Sequence, residues 1–200
     1  MSLVSALDQR PILVAVAGPN GAGKTTFYHS HLKAAGLRFV NADVIAHELD
    51  LEPYAAARVA DAIRRELVKR KESFVFETVF SDPAGEKLEF LKNAARSGYA
   101  VVLCFIGLDT SMTSEERVGM RVSQGGHDVP SDKLKSRFPR ILKNLAAAIH
   151  DLPHVLVYDN SDLRRPFRQI AEFEEGRCVE RSEDVPRWLL SPMKKIKPSK

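Results

Sequence analysis

The stretch Ile12 to Phe27, ILVAVAGPNGAGKTTF, is a short apolar run that ends in Gly18-Pro19-Asn20-Gly21-Ala22-Gly23-Lys24-Thr25. An apolar run of strand length that enters a glycine-rich turn and then a helix fits the opening unit of a parallel α/β sheet. The turn also fills every fixed position of the phosphate-binding P-loop pattern. Glycines let successive backbone N–H groups face inward, and the helix behind them adds the positive end of its dipole. The loop thereby forms a cradle for the β- and γ-phosphates of a nucleotide triphosphate. Gly18, Pro19, Asn20, Gly21, Ala22, Gly23, Lys24, Thr25 and Thr26 are therefore the expected nucleotide-binding set. Lys24 brings a mobile positive charge and the Thr25 hydroxyl a magnesium ligand, so ATP with Mg2+ is the expected pair.

Further apolar runs at Arg38 to Asn41, Ser73 to Thr78, Ala100 to Gly107 and His154 to Tyr158 read as strands, with amphipathic stretches between them. In Ala55 to Lys71, Val59, Ile63 and Leu67 recur at helical spacing while Arg64, Arg65, Lys69 and Arg70 face away. This alternation predicts an α/β fold with a doubly wound, mostly parallel, five-stranded sheet. Beyond it, Phe167 to Phe173 and Arg177 to Arg181 flank Glu174-Glu175-Gly176 as a small hairpin, and Trp188, Leu189 and Leu190 dock a last short helix. A chain of 200 residues with 44% hydrophobic content has material for one such domain over 1–200. Its expected parts are a core over 10–162, a lid at about 113–145, a hairpin and helix over 163–191 and a basic tail over 192–200.

The formal charge of +4 sits largely in Arg117, Arg121, Lys133, Lys135, Arg137, Arg140 and Lys143, and in the tail residues Lys194, Lys195, Lys197 and Lys200. The tail reads as a solvated end, and the central cluster can serve a triphosphate, so nucleic acid is not an expected partner. Cys104 and Cys178 lie in strand-like runs and suggest neither a disulfide framework nor a metal site. MSLVSALDQRP lacks a basic region followed by an apolar core, and no apolar run approaches membrane-spanning length. A soluble, cytoplasmic setting without a membrane partner is expected.

Ligands of doubly wound sheets bind beyond the carboxyl ends of the strands, which singles out Asn41 and Asp43, Glu77 and Thr78, and Asp159 and Asn160. Phosphoryl transfer to a hydroxyl needs positioning, cations around the migrating phosphate and a carboxylate to receive the proton. Asp43 reads either as that base or as an N-cap for a helix beginning at Val44. Glu77 closes the apolar Phe74-Val75-Phe76, where an acid would help hold magnesium or reach the substrate. Asn41, Asp43, Glu77 and Thr78 are the expected acceptor-binding residues.

From Glu115 to Asn144, Arg117 and Arg121 stand one helical turn apart, followed by the loop Ser123-Gln124-Gly125-Gly126-His127-Asp128-Val129-Pro130 and a second helix from Ser131. Leu134, Phe138, Ile141, Leu142, Leu145 and Ile149 form its expected buried stripe, with Arg137, Arg140 and Asn144 opposite. Either this is a lid whose arginines close over ATP, or the arginines are an ordinary solvated face. An ATP-hydrolysing module of the ABC type is a competing reading, with Val155 to Asp159 as its acidic strand. It is opposed by Asn160 in place of a glutamate, by an incomplete signature loop, and by the lack of an aromatic segment ahead of the P-loop.

The combination GPNGAGKTTF, FVNAD, SFVFETVFSDP, RVSQGGHDVP and RFPRILKNL resembles the zeta toxin family of P-loop kinases, over about Ile12 to Asn160. The GGHDVP lid marks one branch of it. The resemblance implies an adenylate-kinase-like core, use of ATP and magnesium, and a sugar hydroxyl of a UDP-N-acetylglucosamine-type acceptor. It also implies a small antitoxin protein as a partner. It further implies that Lys24 and Thr25 serve phosphate and magnesium, Asp43 is the catalytic base, Glu77 and Thr78 face the substrate, and Arg121 with Arg137 or Arg140 contacts the phosphates. The sugar-nucleotide kinases carry an arginine shortly after the strand-three glutamate, where this chain has Val79-Phe80-Ser81-Asp82-Pro83.

Overall fold

The structure is a computed structural model that describes residues 7–123 and 129–194. Seven strands form one sheet in the order β2-β3-β1-β4-β5-β6-β7. They are β1 (Ile12–Ala17), β2 (Arg38–Val40), β3 (Phe74–Thr78), β4 (Ala100–Gly107), β5 (His154–Asp159), β6 (Arg168–Glu174) and β7 (Arg177–Arg181). The first five run parallel. The helices are α1 (Lys24–Phe27), which continues as a π-helical turn over Tyr28–Leu32, then α2 (Ala42–Glu48), α3 (Pro53–Lys69), α4 (Glu86–Arg96), α5 (Ser111–Ser123), α6 (Ser131–Asp151) and α7 (Arg187–Met193).

β1 lies between β3 and β4 and all six of its residues are fully buried, as a central parallel strand covered on both faces requires. Leu13, Ala15 and Ala17 join one apolar layer with side chains from α3, α4 and α6, while Ile12, Val14 and Val16 join a second with Phe27, Tyr28 and Leu32. The fold is that of a P-loop NTPase, mostly parallel and doubly wound. The sheet has seven strands where five were expected, because the C-terminal hairpin is not separate from it. β6 pairs antiparallel with β5, and Ile170, Ala171 and Phe173 enter the first apolar layer.

Two polar residues lie elsewhere than helical periodicity places them. Arg64 is buried on α3, where its guanidinium stacks over Phe76 and bonds Asp61. Asn144 is buried on α6 because its amide donates to the carbonyls of Phe80 and Asp82, both at 3.0 Å. A polar group with partners waiting inside can leave the solvated face. The carboxyl ends of β1 to β5 all open on one edge of the sheet, the crevice where such folds take ligands.

Candidate functional site

The loop after β1 is held in a shape that only glycine permits at its critical points. Gly18 has φ 147°, and a Cβ there would sit 2.1 Å from the Ile106 carbonyl oxygen. Gly23 has φ 85° at the entrance to α1, and a Cβ would meet the Asn160 amide at 2.9 Å. Two outside clips fix the loop between them. Ser114 Oγ on α5 donates to the Asn20 carbonyl at 2.6 Å, and Asn160 Nδ2 donates to the Ala22 carbonyl at 2.9 Å. Lys24 is only 6% exposed and its Nζ donates to the Pro19 carbonyl at 3.0 Å.

Glu77, at the end of β3, gathers the next residues. Its Oε2 accepts from Thr25 Oγ1 at 2.7 Å and from Asn41 Nδ2 at 2.9 Å, and its Oε1 lies 3.7 Å from Lys24 Nζ. A threonine hydroxyl beside a carboxylate is a hard-oxygen donor set suited to magnesium, which usually takes one or two protein ligands and completes its shell from phosphates and water. No group of three or more His, Cys, Asp or Glu that could hold a metal exists among the described residues.

Asn41 settles one question the sequence leaves open. It is the N-cap of α2, its Oδ1 accepting from the Asp43 N–H at 2.7 Å and the Val44 N–H at 3.3 Å. Capping therefore falls to Asn41, and Asp43 stands exposed in the first turn, its carboxylate without a hydrogen bond among the described residues. Both ends of the Asn41 amide are engaged, and Asn41 lines one cavity with Asp43 and Glu77. Asp43, Glu77 and Thr78 line a cavity of about 220 Å3 together with Arg64 of α3 and Lys87 of α4. Thr78 Oγ1 accepts from the Phe80 N–H at 3.1 Å, stabilising Phe80 at φ 62°.

A second cavity, of about 230 Å3, lies on the other side of the P-loop and is lined by Gly21, Gly23, Thr26, Arg117, Asn160, Leu163, Pro166 and Phe167. Phe167 packs edge-on against Phe27 at 5.4 Å between ring centroids, and its own N–H donates to Asn160 Oδ1 at 3.3 Å. Arg117 Nη2 donates to the Ser161 carbonyl at 3.0 Å, and burial pulls the guanidinium below its ordinary pKa, partly opposed by Asp109 and Asp159. A flat aromatic ring, a guanidinium and an amide beside a phosphate cradle are suited to a nucleotide base. Phe167 and Leu163 come from the segment after β5, well outside the P-loop neighbourhood in sequence; the turn-rich stretch DNSDLRRPF was its one signal.

Asp159 is occupied elsewhere. Its Oδ1 accepts from Ser161 Oγ at 2.6 Å and Trp188 Nε1 at 3.4 Å, and its Oδ2 lies 3.6 Å from Arg168. The carboxylate at Thr25 is that of Glu77, whereas Asp159, the acid of the ABC-type reading, contacts Ser161, Trp188 and Arg168. Arg137 and Arg140 are half-buried on α6, and neither has a hydrogen bond or ion pair among the described residues. The Arg121 side chain, the loop 124–128 with Gly125, Gly126 and His127, and the tail 195–200 lie outside the described residues.

A family model described as an AAA domain matches residues 13–146. A Haemophilus influenzae protein described as uncharacterized is 27% identical over 126 residues, which is 60% of this chain and 88% of that protein. Among solved structures, AvrRxo1-ORF1:-ORF2 with ATP superposes with a TM-score of 0.68 at 20% identity, over 88% of this chain and 63% of that one. A structure from the PezAT chromosomal toxin-antitoxin system of Streptococcus pneumoniae gives a TM-score of 0.62 at 14% identity, over 82% of this chain and 72% of that one. This chain thus spans less than two thirds of the AvrRxo1 chain, and at these identities the likeness is one of fold.

Proposed function

The chain belongs to the AAA domain family, and on that footing we propose that it is a zeta-toxin-like kinase that moves the γ-phosphoryl group of ATP to a hydroxyl of a small molecule. The observation that carries this reading is the placing of Asp43 and Glu77 in one cavity, with Glu77 bonded to the Thr25 hydroxyl at the P-loop mouth. A hydrolytic motor has no need of an acceptor pocket there.

In the proposed reaction Asp43 takes the proton of the acceptor hydroxyl as its oxygen bonds to the γ-phosphorus. The bond to the β–γ bridging oxygen breaks, and ADP leaves with the electron pair. Gly18 to Thr26 hold the triphosphate through backbone N–H groups. Lys24, whose Nζ lies 3.7 Å from Glu77 Oε1, gives its charge to the γ-phosphate, and Arg121, Arg137 and Arg140 neutralise charge as the lid closes. Thr25 and Glu77 would hold Mg2+, which supplies neutralisation of the phosphate oxygens when bound. Arg117 and Phe167 hold the base, and the whole chain acts as one kinase domain in the cytoplasm; among the described residues no helix is long and apolar enough to cross a membrane.

A UDP-N-acetylglucosamine-type sugar nucleotide is the first acceptor to test, on the zeta toxin resemblance. A small antitoxin partner is the companion proposal, since one fold relative comes from a toxin-antitoxin system. The mechanism is tested with Asp43→Asn in a metabolite extract supplied with ATP. The variant should bind ATP within about twofold of wild type and lose at least about a hundredfold in phosphorylated product. Undiminished product would remove Asp43 from the reaction.

A further inference from the structure

The cavity beyond β2 and β3 has a wall that the proposed reaction leaves unused. Arg64 lines it and is 5% exposed. Its Nη2 donates to Asp61 Oδ1 at 2.7 Å, its guanidinium carbon lies 5.0 Å from the Phe76 ring centroid, and its Nε is buried with no hydrogen-bond partner. A guanidinium carries five N–H donors, and Asp61 engages one group of this one. Nε is closed to solvent, and the N–H groups that Asp61 leaves unengaged are the ones a ligand in the cavity can meet.

Charge points the same way. Lys87 Nζ, on the same cavity wall, donates to Asp61 Oδ1 at 2.9 Å, and the outward-facing Arg65 takes the other oxygen at 3.1 Å. Although burial raises it, the hydrogen bonds from Lys87 and Arg64 hold the Asp61 carboxyl well below the usual carboxylate range. One ionised carboxylate therefore faces three cations. Two of these, Arg64 and Lys87, stand on the cavity wall with charge to spare. The remaining acids of the cavity, Asp43 and Glu77, are committed by the proposed reaction to the hydroxyl and the metal.

We infer that Arg64 and Lys87 form an anion subsite in the acceptor pocket, so that the acceptor bears a carboxylate or phosphate besides the hydroxyl that is phosphorylated. This rests on the kinase reading of the cleft. Val79 to Pro83, directly after Glu77 and Thr78, contain no arginine, so the anion is held from α3 and α4. The cavity, at about 220 Å3, falls below the ~300–1,000 Å3 usual for drug-sized ligands. A space of that size suits a compact hydroxy acid or sugar monophosphate, whereas a sugar nucleotide would place only one part of itself there.

The test uses the full chain with its P-loop filled by a non-hydrolysable ATP analogue and Mg2+, so that phosphate probes cannot bind the P-loop. Calorimetric titration compares glycerate with glycerol, and glucose 6-phosphate and UDP-N-acetylglucosamine with glucose. At least one anion should bind tenfold or more tightly than its neutral counterpart, and Arg64→Gln should lower that affinity by about 10- to 100-fold while analogue binding stays within twofold. Lys87→Gln should lower it less and keeps the test open if Arg64→Gln does not fold. Which acid binds separates the carboxylate from the phosphate source. Equal binding of charged and neutral compounds, absence of binding by all, or an affinity unmoved in both variants overturns the subsite. Anion selectivity lost in Arg64→Gln, with no phosphorylated product from any acceptor, would uphold the subsite and reject the kinase reading.

Discussion

Glu77 divides one carboxylate among Thr25, Asn41 and Lys24, at 2.7, 2.9 and 3.7 Å. Replacing it by glutamine keeps the shape and removes the charge, so Glu77→Gln should slow phosphoryl transfer by about 10²-fold or more, as losing one preorganised electrostatic contact does elsewhere. It should also raise the Mg2+ concentration needed for half-maximal rate, measured by titrating the metal at saturating ATP. An unchanged metal requirement would leave Glu77 outside the metal site. The positions of Glu77 and Thr78 were legible in the sequence because a polar pair closing an apolar strand is a local pattern. Asp43 was legible only as two alternatives, and capping by Asn41 sets aside the N-cap one. Arg64 was misplaced for a physical reason: periodicity sorts polar from apolar, and cannot see that Asp61 and Phe76 wait inside to receive a guanidinium.

Among the elements, the segment between β5 and β6 changes most in meaning. As a sequence it is a turn leading to a hairpin; in the fold it carries Phe167 to the P-loop, where that ring faces Phe27 and lines the second cavity. Phe167→Ala should weaken ATP binding by about 10- to 100-fold, the ~1–3 kcal/mol typical of base stacking on an aromatic ring. Binding of inorganic triphosphate should not change, and equal losses for both ligands would assign Phe167 to packing alone. The union of β6 with β5 was not legible, because antiparallel pairing is a non-local choice and β5 offers either an open edge or a partner. α6 shows a related limit. Leu134, Ile141, Leu145 and Ile149 follow the expected stripe, while Asn144 joins them through its bonds to Phe80 and Asp82. These bonds tie the helix bearing Arg137 and Arg140 to the loop after β3. At its other end Lys133 Nζ lies 3.5 Å from the Tyr54 hydroxyl on α3, so the helix reaches from that loop to α3.

Across the whole molecule, the strand order does what no single motif can. With β1 between β3 and β4, the P-loop, Glu77 and the Ser114 clip from α5 meet at one edge although they lie far apart in the chain. β2, beside β3, delivers Asn41 and Asp43 to the same edge. The alternation of strands and helices made this crevice predictable; which side chains line the cavity beside Glu77 depends on helix rotation and on paired burial, which alternation does not encode. Whether phosphate reaches an acceptor decides the function. Mass spectrometry of a metabolite extract incubated with the protein, ATP and Mg2+ measures this directly. A metabolite should gain one phosphoryl group in step with ADP formation; ADP and inorganic phosphate accumulating together, with no phosphorylated metabolite, would contradict phosphoryl transfer to an acceptor.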